Sequence, residues 1–214
     1  VTLRARVYEA LGTVYDPELD EPITALGFVG SCVVTSGGDV SVRLRLPTPQ
    51  CAPNFAFLMA ADARRAVRSV PEVGEVTIEL EDHFTGHEIN GAVNGGQGFA
   101  GAFPGETEGD LRPLRELFQR KALLARQSRL LSLPATTLGE LTGPDADRCR
   151  ALRRALGIDA SDDAPAFVTG DGSPVAASDV RFRRMASLTA LSLETNGGIC
   201  RDLLRTRYGE EVAA

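Results

Sequence analysis

Apolar and polar side chains alternate strictly through Val40-Ser41-Val42-Arg43-Leu44-Arg45-Leu46, the period of a strand with one buried face. The preceding Ser36-Gly37-Gly38-Asp39 reads as a hairpin turn, and Ile23 to Thr35 is expected to hold the partner strand through Leu26-Gly27-Phe28-Val29 and Cys32-Val33-Val34. Glu75 to Leu80 alternates again, with Val76, Ile78 and Leu80 on one side, and predicts a third strand. Helical spacing separates and precedes these strands. Phe55, Leu58, Met59, Ala63, Ala66 and Val67 line one face of Asn54 to Val70, and Leu3, Val7, Leu11 and Val14 do so in a first helix that Thr2 can cap and Asp16-Pro17 should stop. The order is helix, strand, strand, helix, strand. It predicts an α+β fold: a small α-β-β-α-β domain with a mixed sheet, its second and third strands made parallel by a right-handed crossover.

The pattern changes after residue 90. Asn90 to Gly105, with Asn94-Gly95-Gly96-Gln97-Gly98, holds too much glycine for a regular element and reads as a linker or a flap. Beyond it, helical periodicity dominates: Leu111 to Leu133 behind an Asp110 cap, a capping-box spacing at Thr137-Leu138-Gly139-Glu140, a short helix near Asp145 to Leu156, and a long stretch from Asp179 to Tyr208. Ala166-Phe167-Val168 and Pro174-Val175 flank a candidate tiny hairpin. Two glycines at Asn196-Gly197-Gly198 predict a kink or break; Cys200 follows directly, where a new helix N-terminus can lower a thiol pKa, although a structural role is the favoured reading of this cysteine. The expected organisation is an α/β domain over 1–90, a glycine-rich linker or flap over 91–106 and a mainly α-helical domain over 107–214.

Composition narrows the function classes. The 214 residues are 43% apolar and 24% charged, the balance of an ordinary globular protein. A net charge of −6 argues against nucleic acid as the main partner. No apolar run is long enough to span a bilayer, and no basic-then-apolar leader opens the sequence, so a cytoplasmic location is the default expectation. Cys32, Cys51, Cys149 and Cys200 are far apart, which disfavours a self-contained zinc knuckle or a Cys-x-x-Cys redox site; any metal site must draw on distant segments. Cys32 lies in a strand and reads as core.

Candidate chemistry gathers at loops. Leu46-Pro47-Thr48-Pro49-Gln50-Cys51-Ala52-Pro53 places a cysteine in a proline-stiffened turn just before a helix, where a positive helix end favours thiolate. In a βαβ unit this loop and Glu81-Asp82-His83-Phe84-Thr85-Gly86-His87-Glu88 leave the sheet at the same carboxyl edge, so Cys51 and His83 can meet. His83 and His87 are four apart, though Gly86 between them weakens a shared helix face. Asp16-Pro17-Glu18-Leu19-Asp20-Glu21 supplies four carboxylates, which by themselves read as a solvated acidic turn.

Asp16-Pro17-Glu18, the Leu26-Gly27 strand start, Thr48-Pro49-Gln50-Cys51 and Val70-Pro71-Glu72-Val73 occur in this order, and residues 3 to 85 resemble the small domain of the SufT/PaaD family of metal–sulfur cluster assembly factors. The resemblance implies a functional site around Asp16, Glu18, Thr48 and Cys51 that supports maturation of iron-dependent or iron–sulfur proteins. Asp82-His83-Phe84 stands where that family commonly has a Trp/Pro-rich segment. The longer layout, ending near Asn196-Gly197-Gly198-Ile199-Cys200, resembles accessory proteins of propane-type soluble di-iron monooxygenase systems. The paired Glu-x-x-His motifs of a di-iron catalyst are absent from the sequence.

The resulting expectation is a non-enzymatic maturation factor that handles iron or an iron–sulfur cluster. Cys51, His83 and a carboxylate from Asp16 or Glu18 are the candidate metal ligands, His87 is a further one, and Thr48 is a hydrogen-bonding neighbour of the bound group. The helical domain would dock a client metalloenzyme, such as a di-iron monooxygenase subunit, or a second copy of the chain. Two alternatives stay open: a metal-free chaperone of an apo-oxygenase, and a thiol enzyme with Cys51 as nucleophile and His83 as base, for which no orienting third residue is evident.

Overall fold

A computed structural model describes residues 1–105 and 109–209. They form two compact units, 1–111 with 197–209 and 112–196. The fold is α+β, with an α-β-β-α-β arrangement and a three-stranded mixed sheet in the first unit.

In that unit α1 (Leu3–Leu11) is capped by Thr2, whose Oγ1 accepts from the Ala5 N–H at 3.2 Å, and its inward positions Val7 and Leu11 are buried. β1 (Val29–Val34) pairs antiparallel with β2 (Val40–Arg45), and β2 pairs parallel with β3 (Val76–Glu81), Val42 opposite Ile78. The period-two pattern does what it predicts: Val40, Val42, Leu44, Val76, Ile78 and Leu80 enter the core while Ser41, Arg43, Thr77 and Glu79 stay exposed. Cys32 is in that core too. The hairpin turn requires glycine at position 38, where φ is +90° and a Cβ would come within 2.5 Å of the Glu72 carbonyl oxygen. Between β2 and β3, α2 (Pro53–Arg68) starts on a proline and buries Phe57, Met59, Ala60, Ala63 and Val67 in the same core.

The glycine-rich stretch departs from expectation. It carries α3 (Gly86–Asn94) and α4 (Phe99–Ala102), with Ile89, Ala92, Val93 and Ala102 buried in the core of the first unit. Asn90 and Asn94, one turn apart on α3, bond the backbone of β3. Asn90 Oδ1 accepts from the Leu80 N–H at 2.8 Å, and Asn94 accepts from the Ile78 N–H at 2.9 Å and donates to its carbonyl at 2.8 Å. The sheet's open edge is thereby satisfied by side chains, which offsets the low helix propensity of glycine. Glu106 and Thr107, where linker was expected to give way to helical domain, lie outside the described residues.

The second unit contains α5 (Arg112–Leu130), a short 3₁₀ turn at Leu138–Glu140, α6 (Pro144–Ala155) and the first part of α7 (Val180–Tyr208). Its core includes Leu123, Leu138, Cys149, Leu152, Phe167 and Phe182. The capping spacing is realised as Glu140 Oε2 accepting from the Thr136 and Thr137 N–H groups at 2.6 and 3.2 Å. The tiny hairpin is present as an antiparallel bridge between Val168 and Pro174. Arg153 is fully buried and donates to the carbonyls of Pro165 at 2.9 Å and Ala166 at 2.7 Å.

α7 is continuous through Asn196-Gly197-Gly198, so of the expected kink or break the break does not occur. A Cβ at Gly197 would lie 2.8 Å from Glu21 Oε1, the far end of a flexible side chain that can move aside. From Gly197 onward the helix belongs to the first unit, where Leu204 is buried in the core.

Candidate functional site

Parallel pairing of β2 and β3 brings the two following loops to one edge, as their order predicts. The Cys51 N–H donates to the Thr48 carbonyl at 3.3 Å, closing a tight turn, and Thr48 Oγ1 lies 3.5 Å from Cys51 Sγ. The thiol is half-buried immediately before α2. Two contacts tie this turn to the end of β3. The Phe84 N–H donates to the Pro49 carbonyl at 3.1 Å, and His83 Nε2 is 2.7 Å from the Cys51 carbonyl oxygen.

His83 therefore meets Cys51 through the backbone and not through sulfur. Its Nδ1 accepts from the Thr85 N–H at 3.2 Å, so Nε2 carries the proton donated to the Cys51 carbonyl. Both ring nitrogens are engaged, and in this geometry the imidazole positions the cysteine turn. His87 is exposed in the first turn of α3, whereas His83 precedes that helix, so the two share no helix face. Asp82, between β3 and His83, takes φ 49°. Arg207 donates to the Asp82 carbonyl at 2.6 Å and Tyr208 to its carboxylate at 3.1 Å, while another Arg207 nitrogen reaches the Leu46 carbonyl at 3.2 Å.

The acidic turn is not a solvated loop. Asp16 is buried, and its Oδ1 accepts from the Glu18 and Leu19 N–H groups at 2.8 and 2.9 Å. Burial pushes its pKa up to about 6; those backbone donors oppose the rise, and the charges of Glu18 and Glu21 add to it. Glu18 itself is exposed. Glu21 pairs with Arg201 of α7 at 2.6 Å.

A new helix N-terminus at Cys200, which would lower its pKa, does not form; the residue stands inside α7, and its thiol is pushed up to about 11. Burial is the first cause, the negative charges of Asp16, Cys51 and Glu18 add to it, and Arg201 opposes it. The helix that carries Cys200 reaches the acidic turn through the Arg201–Glu21 pair and the entry to the cysteine turn through Arg207. This placement could not be read from spacing, because a helix far along the chain returns to the first unit. Among the described residues, no group of three or more His, Cys, Asp or Glu side chains is arranged to hold a metal ion. No described helix is long and apolar enough to cross a membrane.

Comparison with known proteins places this edge in context. A family described as iron-sulfur cluster assembly protein matches residues 4–79. An uncharacterised protein of Methanocaldococcus jannaschii is 33% identical over 84 residues, 39% of this chain and 86% of that protein. Proteins named iron-sulfur cluster carrier protein from Mycobacterium leprae and Mycobacterium tuberculosis are 33% and 37% identical over 79 residues, 37% of this chain. The chain matches only 20% of the length of those carriers. No solved structure matches it.

Proposed function

The chain belongs to the iron-sulfur cluster assembly protein family, and from that premise we propose that it takes up iron or an iron–sulfur cluster as cargo at Cys51 and passes it to a metalloprotein under assembly. The supporting observation is the tethered cysteine turn, with its half-buried thiol beside Thr48 and its backbone fixed by His83. A soft thiolate suits iron and cluster cargo, and a rigid turn lets sulfur bind without first ordering the loop. Thr48 hydrogen-bonds the sulfur and moderates its donor strength. Exposed Glu18 is available as a carboxylate ligand, while Asp16 shapes the acidic turn through its two backbone bonds. His83 acts as positioning residue, and His87 lies on the exposed flank of α3.

The recipient is an iron-dependent apo-protein. A soluble di-iron monooxygenase subunit is the recipient suggested by the resemblance of the helical half. Anaerobic iron or cluster reconstitution followed by metal analysis tests the carrier role. Iron is expected to stay with the wild type and be lost in Cys51→Ala; equal, negligible iron in both defeats the proposal.

A further inference from the structure

We propose that a pocket at the end of α2 is a second binding site, separate from the cysteine turn, for a small molecule that carries a phosphate group. The inference goes beyond the carrier reading and uses none of its residues.

The pocket lies wholly within the first unit, between the last turns of α2 and the end of α3, and has a volume of about 480 Å³. Concave sites of that size take small molecules. Arg64, Arg65 and Arg68 line it from α2, and Ala61, Val93 and Gly96 are also in its wall. Positions three and four apart on a helix share a face, and 61, 64, 65 and 68 follow that spacing. At a rise of 1.5 Å per residue, Arg64 stands about 20 Å along the chain's helical direction from Cys51, so the pocket is remote from the thiol.

Basic residues complement the dipole at a helix C-terminus, which accounts for the presence of Arg65 and Arg68 in the last turn. It does not account for how the guanidinium groups are bonded. Arg64 Nη2 donates to the Asn94 carbonyl at the end of α3, at 3.1 Å, while Arg64 Nε is buried with no hydrogen-bond partner among the described residues. A buried N–H left unbonded costs free energy that a bound acceptor recovers. Arg65 pairs with Asp62 at 2.6 Å, whereas exposed Arg68 has no partner among the described residues. Two helix-end carbonyls that would repel an anion are already engaged: Ala66 accepts from Ser69 Oγ at 2.7 Å, and Asn94 accepts from Arg64.

Phosphate is the chemistry that fits these donors, because its oxygens accept paired bonds from a guanidinium fork. The protein as a whole carries a net charge of −6, and a concentration of arginine in one concavity makes a local exception to it. Ala61 and Val93 add apolar surface, which suits phosphate carried on an organic group; inorganic phosphate or pyrophosphate has the same anionic chemistry without using that surface.

Calorimetric titration of the metal-free protein, in phosphate-free buffer, with inorganic pyrophosphate, ATP and adenosine tests the site. Pyrophosphate and ATP are expected to bind and adenosine is not. ATP binding about tenfold tighter than pyrophosphate identifies an organic phosphate as the ligand, and equal or weaker ATP binding identifies the free anion; both support a phosphate site. Arg68→Ala, at an exposed position, should weaken pyrophosphate binding about tenfold or more, while Arg184→Ala, an exposed arginine of the second unit, should leave it unchanged. In nitrogen-15 spectra the Val93 and Gly96 amides should shift saturably with pyrophosphate. The proposal is overturned by no saturable binding at millimolar pyrophosphate, by equal binding in wild type and Arg68→Ala, by adenosine binding as tightly as ATP, or by shifts that spare Val93 and Gly96. Cys51→Ala should bind pyrophosphate as wild type does, so failure of the carrier reading and failure of this one are read separately.

Discussion

Each unit buries a charged side chain, and the two do so differently. Arg153, in the second unit, is wholly enclosed and gives its guanidinium protons to the carbonyls of a single loop, Pro165 and Ala166 among them. The neighbouring Cys149 is equally enclosed in apolar surroundings. Asp16, in the first unit, is buried in the acidic turn and shares one oxygen between two backbone donors, and the charges of Glu18 and Glu21 add to the rise that burial gives its pKa. Arg153 fastens a loop and leaves nothing accessible. Asp16 shapes a loop while keeping a negative charge that burial disfavours. Buried charge alone thus does not mark function.

The contrast can be broken from either side. The largest effect belongs to Arg153→Ala, which strands carbonyls and opens a cavity; thermal or denaturant unfolding is expected to show a loss of about 3–5 kcal/mol. Asp16→Asn should act in the opposite direction. The folded pKa of about 6 stands above the ordinary 3.8, so the stability tied to Asp16 is complete below 3.8 and lost as pH rises through 6. Asparagine keeps an oxygen for the two backbone donors and carries no charge. The variant should match wild type near pH 3 and exceed it by about 3 kcal/mol at pH 7, measured as unfolding midpoints across that range.

Smaller effects sharpen the comparison. Asn94→Ala leaves both polar groups of Ile78 unpaired at the sheet edge and is expected to cost about 1–2 kcal/mol, with faster hydrogen exchange at Ile78. Thr48→Val removes only the weak contact to Cys51 sulfur. A stability change of about 0.5 kcal/mol is expected, together with a shift in the thiolate absorption of anaerobically cobalt(II)-loaded protein that a purely structural role would not produce.

The sheet was legible because period-two alternation in Val40 to Leu46 and Glu75 to Leu80 reports directly which face is buried. The shared edge of the Cys51 and His83 loops was legible because a βαβ unit allows little else. What stayed hidden depended on contacts made at a distance. Asn90 and Asn94 turn a glycine-rich stretch into an edge-covering helix, and polar side chains bonded to a strand leave no periodic signature. Gly197 reads as a helix breaker by propensity, yet the last helix runs through it. The sequence brought His83 to Cys51 without saying which atom the ring would meet, and it met the carbonyl. Cys200 joins the first unit only because the last helix returns to it, which no local pattern announces.

The central claim is that Cys51 anchors the cargo. An iron-edge anomalous difference map of protein crystallised after anaerobic iron loading tests it most directly. The account predicts a peak bonded to Cys51 sulfur, and a peak bonded elsewhere with Cys51 left free would contradict it.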